Sequence, residues 1–171
     1  MTTPTVDQAP STPSPWLPPR WFIRGAWVVH RAIHRFSGGR RGLSLPKPGN
    51  RFGNLKLTTI GRRSGTERVA ILGYVEDGPN LVTLAMNGWG SPDPAWWLNL
   101  QARPEASVEL KTGRRPVRAR AAVGTERDRL WAKVREHRGY GDMDGYSRRR
   151  SGETAVIVLE PRDGATGATD Q

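Results

Sequence analysis

The chain contains no cysteine, which removes a disulfide framework, a thiolate nucleophile and any Cys-ligated zinc or iron–sulfur site from consideration. The absence of thiols fits a reducing cytoplasm. No apolar run approaches the ~20 residues that a membrane-spanning helix needs. The first fifteen residues, MTTPTVDQAPSTPSP, lack the charged and apolar regions of a secretory signal. Histidine is scarce. His30 and His34 stand four apart, a spacing that suits metal, but no carboxylate lies nearby to complete the site, so they read as solvated. His137 has no GxSxG elbow to serve, no GK[ST] phosphate loop occurs, and Asp142-Met143-Asp144-Gly145 lacks the later ligands of a calcium loop and reads as a turn. Acidic residues are few: 16 against 27 lysines and arginines, for a formal charge of +11 over 171 residues. Such a surplus points to an anionic partner, whether nucleic acid, lipid headgroup or phosphorylated ligand. The nucleic-acid option lacks a reader, since the chain has no zinc-finger spacing, no aromatic RNP run and no basic zipper.

What is present divides the chain into four parts. Residues 1–15 are rich in Pro, Thr and Ser and read as a disordered tail. Residues 16–49 hold an amphipathic basic-aromatic helix followed by a Gly/Pro-rich linker; Phe22, Ala26, Val29, Ile33 and Phe36 recur at helical spacing. That helix suits either a membrane interface, with contact through residues 16–36, or the domain's own core, and both readings stay open. Residues 50–161 form the globular domain, and 162–171 a loose tail.

Within the domain, alternation predicts strands near 55–60, 68–76, 80–86, 105–111, 116–123 and 154–160. Asp77-Gly78-Pro79-Asn80 marks a hairpin. Pro92-Asp93-Pro94 starts a helix over 95–102, with Asp93 as its expected N-cap. Thr125-Glu126-Arg127-Asp128 opens a second helix in a capping-box-like pattern. Residues 138–152 read as a glycine-rich loop bearing tyrosines. Six short strands with inserted helices suggest a small barrel, mainly β with α, because closing the sheet removes its edges.

The segment LTTIGRRSGTERV (57–69) sets a glycine-bounded basic turn between two strands, and PAWWLNLQARPEASVEL (94–110) sets a tryptophan pair on the helix that follows the third. Together with RARAAVGTERDRLWAKV (118–134) and AVIVLEP (155–161), in this order and spacing, they resemble the deazaflavin-dependent nitroreductase family. The resemblance covers roughly residues 50–161. It implies an α+β fold, a six-stranded split β-barrel of the FMN-binding, pyridoxamine-phosphate-oxidase-like type. It also implies coenzyme F-420, an 8-hydroxy-5-deazaflavin, as cofactor, and hydride transfer to a lipophilic quinone, enone or nitroaromatic. Carried over by position, Arg62, Arg63, Ser64 and Arg68 hold the coenzyme's anionic tail, while Leu84, Ala85, Met86 and Asn87 lie along its ring. Ala95, Trp96, Trp97, Leu98 and Asn99 match the adjoining helix. Helical spacing puts Trp96 and Asn99 on one face, so one tryptophan is expected in the pocket and the other in the core. Tyr140 and Tyr146 fall where the family places tyrosines on the substrate side, to orient the acceptor or supply its proton. Two positions depart from the pattern. Many members carry lysine where Asn87 stands, and nitroreductase-type members carry tyrosine where Gly73 stands, which bears on nitroreduction more than on coenzyme binding. Two rival readings remain: a non-catalytic binder on the same barrel, and a relative using FMN or haem. The absence of an acid–base dyad suits chemistry supplied by a cofactor.

Overall fold

The computed structural model describes residues 42–47, 52–87, 92–137, 143–148 and 152–162. The amphipathic helix expected at 16–36, both expected tails and Tyr140 lie outside the described residues, as does the side chain of Tyr146.

Six strands form the domain: β1 (Gly53–Ile60), β2 (Glu67–Asp77), β3 (Asn80–Leu84), β4 (Glu105–Leu110), β5 (Gly113–Ala121) and β6 (Val156–Pro161). They close into an antiparallel barrel in the order β1-β2-β3-β6-β5-β4, with β4 returning to β1. Strict alternation along β1 sends Gly53, Leu55, Leu57 and Thr59 inward and leaves their neighbours half-buried. The expected hairpin forms: Asp77 pairs with Asn80, and Gly78 takes φ +60°, the conformation that a tight hairpin asks of glycine. Three helices are inserted, α1 (Ala95–Ala102), α2 (Gly124–Arg135) and α3 (Met143–Arg148). The last lies inside the stretch read from sequence as loop. Its six residues contain glycine and serine and have little helical propensity of their own. It is held from outside, because Asp144 accepts hydrogen bonds from Trp131 Nε1 (3.0 Å) and Arg135 Nη1 (2.8 Å) of α2.

Antiparallel order gathers one set of strand ends at a single mouth. β1, β3 and β5 finish there, β2, β4 and β6 begin there, and α1 crosses it between β3 and β4. Trp96 and Trp97 are both buried, 8% and 6% exposed, and both join the barrel core, their rings meeting edge-on at 6.5 Å. The expected split between a pocket tryptophan and a core tryptophan does not occur. At about 100° per residue, positions 99, 96, 100 and 97 span less than half a turn, and the barrel mouth covers that whole arc. Room for two indoles comes from small partners: Ala85 belongs to the same cluster, and Ala70, Ala106, Ala121 and Ala155 pack against it.

A second core lies outside the barrel, where Leu84, Val156 and Val158 sit under Leu130 and Val134 of α2 and Met143 of α3. Asp77 fastens α2 to the β2–β3 hairpin by accepting from Arg129 (2.9 Å) and Lys133 (2.8 Å), which hold its carboxyl well below the usual carboxylate range. Neither expected helix cap forms. Pro94 and Val123 occupy the N-cap positions without side-chain bonds. Glu126 instead grips Arg120 at 2.6 and 2.8 Å, a stronger option for a carboxylate than a neutral backbone donor.

At the end of the barrel away from this mouth, Tyr74 is sealed from water, and its hydroxyl finds no hydrogen-bond partner among the described residues. Burial, then the charge of Glu76, pushes its pKa up to about 12, with Arg115 opposing. A folded-state pKa above the unfolded value means that the associated stability is complete below roughly pH 10 and lost as pH rises toward 12. Tyr74→Phe removes both the unpaired hydroxyl and this alkaline penalty. We expect it to raise the melting temperature at neutral pH by a few degrees, for about 1 kcal/mol, with the gap widening above pH 10. Thermal melts of both proteins from pH 7 to 11 check this, and a lower melting temperature for the variant would refute it.

Candidate functional site

The connection from β1 to β2 is a tight basic corner. Gly61 N–H donates to Thr66 O (2.8 Å) and Gly65 N–H to Gly61 O (2.8 Å), folding the five intervening bonds onto themselves. Two glycines are required here. Gly65 sits at φ +66°, and a Cβ on Gly61 would meet Ser64 Oγ at 2.7 Å. The folded corner turns Ser64 inward on itself: its hydroxyl lies 2.9 Å from Thr66 Oγ1 and accepts from Arg68 Nη2 at 3.2 Å. Ser64 therefore steadies Arg68.

Arg62 is tied to α1. Asn99 Oδ1 accepts from the Arg62 backbone N–H (3.2 Å) and from Nη1 (3.4 Å), while Asn99 Nδ2 donates to Thr59 Oγ1 (3.2 Å). Thr59 in turn donates to the carbonyl of Arg68 (3.4 Å). One buried amide, 4% exposed, thus joins the helix, the last inward position of β1 and the first turn of the corner. Thr59 is the residue that sequence reading missed. Its signal was there, a hydroxyl at an inward position of an alternating strand, where burial demands a partner.

All residues from 62 to 69 are exposed. Arg62, Arg63 and Arg68 form no ion pair with a carboxylate among the described residues, and Arg63 has no hydrogen-bond partner there either. The basic face expected on β5 behaves differently: Arg118 pairs with Glu105 (2.8 Å), and Arg120 with Glu126 and Glu160 (2.6 and 2.7 Å). Lys56 likewise pairs with Glu109. The uncompensated cations of this mouth are concentrated at the corner.

The second group of candidates lies at the same mouth. Leu84 and Ala85 are buried, Met86 is half-buried and Asn87 exposed. Ala85 N–H bonds to Ala155 O (2.9 Å), extending the β3–β6 ladder past its last named pair. On α1, Ala95 is exposed and Leu98 half-buried, so the accessible surface of the helix is made by these rather than by the tryptophans. The fold brings corner, strand end and helix together. Tyr146 lies on α3, whose anchor Asp144 is held below the usual carboxylate range by Trp131 and then Arg135. Among the described residues no group of His, Asp or Glu is arranged to hold a metal ion, and no helix is long and apolar enough to cross a membrane.

Residues 27–161 match the family described as F420H(2)-dependent quinone reductase. A putative F420H(2)-dependent quinone reductase of Mycobacterium tuberculosis is 33% identical over 123 residues, covering 72% of this chain and 99% of that protein. A second F420H(2)-dependent quinone reductase of the same organism is 30% identical over 149 residues, covering 84% and 97%. Among solved structures, an F420-H2 dependent reductase (FDR-A) superposes with a TM-score of 0.56 at 27% identity, over 65% of this chain and 96% of that one. The chain belongs to the F420H(2)-dependent quinone reductase family, a family of oxidoreductases on a six-stranded barrel.

Proposed function

We propose that the protein transfers a hydride from C5 of reduced coenzyme F-420 to a quinone. Atoms balance with one hydride and one proton delivered to the quinone, giving the quinol and the oxidised deazaflavin. The observation that carries this reading is the corner itself: three arginines without carboxylate partners, on a glycine turn fixed to α1 by Asn99. Such a surface fits the coenzyme's phosphate and acidic tail, because guanidinium forks offer paired charge-assisted donors. When bound, the deazaflavin supplies the hydride.

The chain's own residues bind and orient. Arg62, Arg63 and Arg68 take the anionic tail, with Ser64 holding Arg68 in place. Leu84 to Asn87 and the exposed flank of α1, Ala95 and Leu98, border the ring, while Trp96 and Trp97 stiffen the floor beneath it. Asn87, where many relatives carry lysine, offers an amide in place of a cation. Tyr140 or Tyr146 orients the acceptor or passes the proton, and Asp144 steadies the segment between them. Residues 16–36 would bring the protein to the inner face of the membrane, where lipophilic quinones dissolve.

Titration with F-420, FMN and hemin, read by tryptophan quenching, tests the cofactor. Loss of reduced-deazaflavin absorbance on adding menadione tests the reaction. Saturable binding of F-420 alone, with turnover, is expected; tight FMN or hemin binding without F-420 binding would sink the reading.

A further inference from the structure

We propose that the cleft between the end of β5, the first turn of α2 and residues 153–155 is the acceptor subsite, and that Arg127 is its hydrogen-bond donor to a quinone carbonyl. This rests on the function proposed above. The cleft encloses about 430 Å³, within the usual span for small-molecule sites, and is lined by Ala121, Val123, Gly124, Arg127, Glu153 and Ala155 among others. Its place follows from the ladder. Ala155 O accepts from Ala85 N–H at 2.9 Å, so the cleft adjoins the segment assigned to the coenzyme ring.

One wall is apolar and made of small side chains, which leaves a flat surface for a planar ring. Val123 is 73% exposed, an uncovered valine at the rim. The opposite wall presents a single oriented cation. The Arg127 guanidinium carbon lies 5.4 Å from the centre of the Trp131 ring, and Nε is 2.5 Å from Glu153 Oε1. Nevertheless the buried Nε–H has no aligned acceptor, so this donor is held in place with its hydrogen-bonding capacity unspent.

The charge balance selects the ligand class. Glu153 and Asp128 flank Arg127, the latter at 3.4 Å, so the cleft is not a phosphate site. A neutral dicarbonyl ring suits it: apolar faces meet the alanines, and one carbonyl accepts from Arg127. Hydride uptake then leaves negative charge on the quinone oxygen, and a fixed cation there stabilises that charge as it develops.

The test uses menadione as a soluble quinone probe, with the full chain and two variants, Val123→Trp to fill the cleft and Arg127→Gln to remove the cation. Menadione affinity is measured calorimetrically without coenzyme, and F-420 affinity is measured on the same preparations. We expect menadione binding to weaken about tenfold in Arg127→Gln and more in Val123→Trp, with F-420 affinity within about twofold of the parent. Val123 is exposed, so its replacement spares the core, and thermal melts verify that both variants are folded. Unchanged menadione affinity in both variants, or no measurable menadione binding by the parent, overturns the proposal. Failure to bind F-420 with menadione binding intact would instead overturn the proposed function and leave the cleft assignment standing.

Discussion

Replacing Asn99 with alanine is expected to lower the melting temperature by about 6–10 °C and to weaken F-420 binding by about tenfold. The first figure follows from what truncation strands. The Arg62 amide loses its acceptor, Arg62 Nη1 loses its tether, and Thr59 Oγ1 loses its donor, all around a side chain only 4% exposed. Unsatisfied groups of this kind cost about 1–3 kcal/mol each at full burial, and part of the cost is relieved here because Arg62 itself is exposed, leaving about 2–3 kcal/mol in total. For a chain of this size each kcal/mol corresponds to roughly 3 °C. The second figure reflects orientation, since without Asn99 the corner must order Arg62 at the moment of binding. Asn99→Asp separates the two effects. It keeps an acceptor for Arg62 but lacks the donor to Thr59, so it should recover coenzyme affinity better than stability. Differential scanning calorimetry and F-420 titration on both variants measure this. If Asn99→Ala loses stability while coenzyme affinity stays at the parent value, Asn99 belongs to the fold alone.

The barrel was legible from local pattern because its strands alternate cleanly and its turns use glycine where the backbone needs it. β1 reads as inward leucines separated by polar residues, and the Gly78 hairpin lands on the expected pair. The misreadings share a cause: the winning partner was distant in sequence. Glu126 suits a capping box three residues from Val123, yet it binds Arg120 across the β5–α2 junction, where a guanidinium outcompetes a backbone amide. Met143–Arg148 has no helical period, and becomes a helix because Trp131 and Arg135 hold Asp144. The tryptophan pair was assigned by helical faces alone. That rule assumes a flat neighbour, whereas the barrel mouth, opened by five alanines, takes in both rings. For the site, the motif GRRSG gave the cations but could not show which cations of the chain are neutralised. Arg118 and Arg120 look as available as Arg62 and Arg68 in sequence, and only the register that brings Glu105 and Glu160 opposite them distinguishes the two sets.

That distinction decides the second large effect. Arg62→Ala combined with Arg68→Ala should weaken F-420 binding by about a hundredfold to ten-thousandfold, since two charge-assisted contacts worth roughly 1.5–3 kcal/mol each are removed. Stability should hardly move. Both side chains are exposed, the Arg62 amide keeps its bond to Asn99 through the backbone, and Arg68 gives up only a 3.2 Å contact to Ser64. A general attraction between a +11 chain and an acidic coenzyme would predict something else, namely that any two arginines lost from this mouth cost the same. Arg118→Ala combined with Arg120→Ala removes equal charge from residues already paired with glutamates, so it serves as the control. Salt dependence sharpens the comparison. Parent affinity should fall with ionic strength, that fall should flatten in the Arg62/Arg68 double variant, and it should persist in the control. Equal losses in the two double variants would replace a specific anchor with diffuse electrostatics, and coenzyme binding would then have to be sought elsewhere on the barrel.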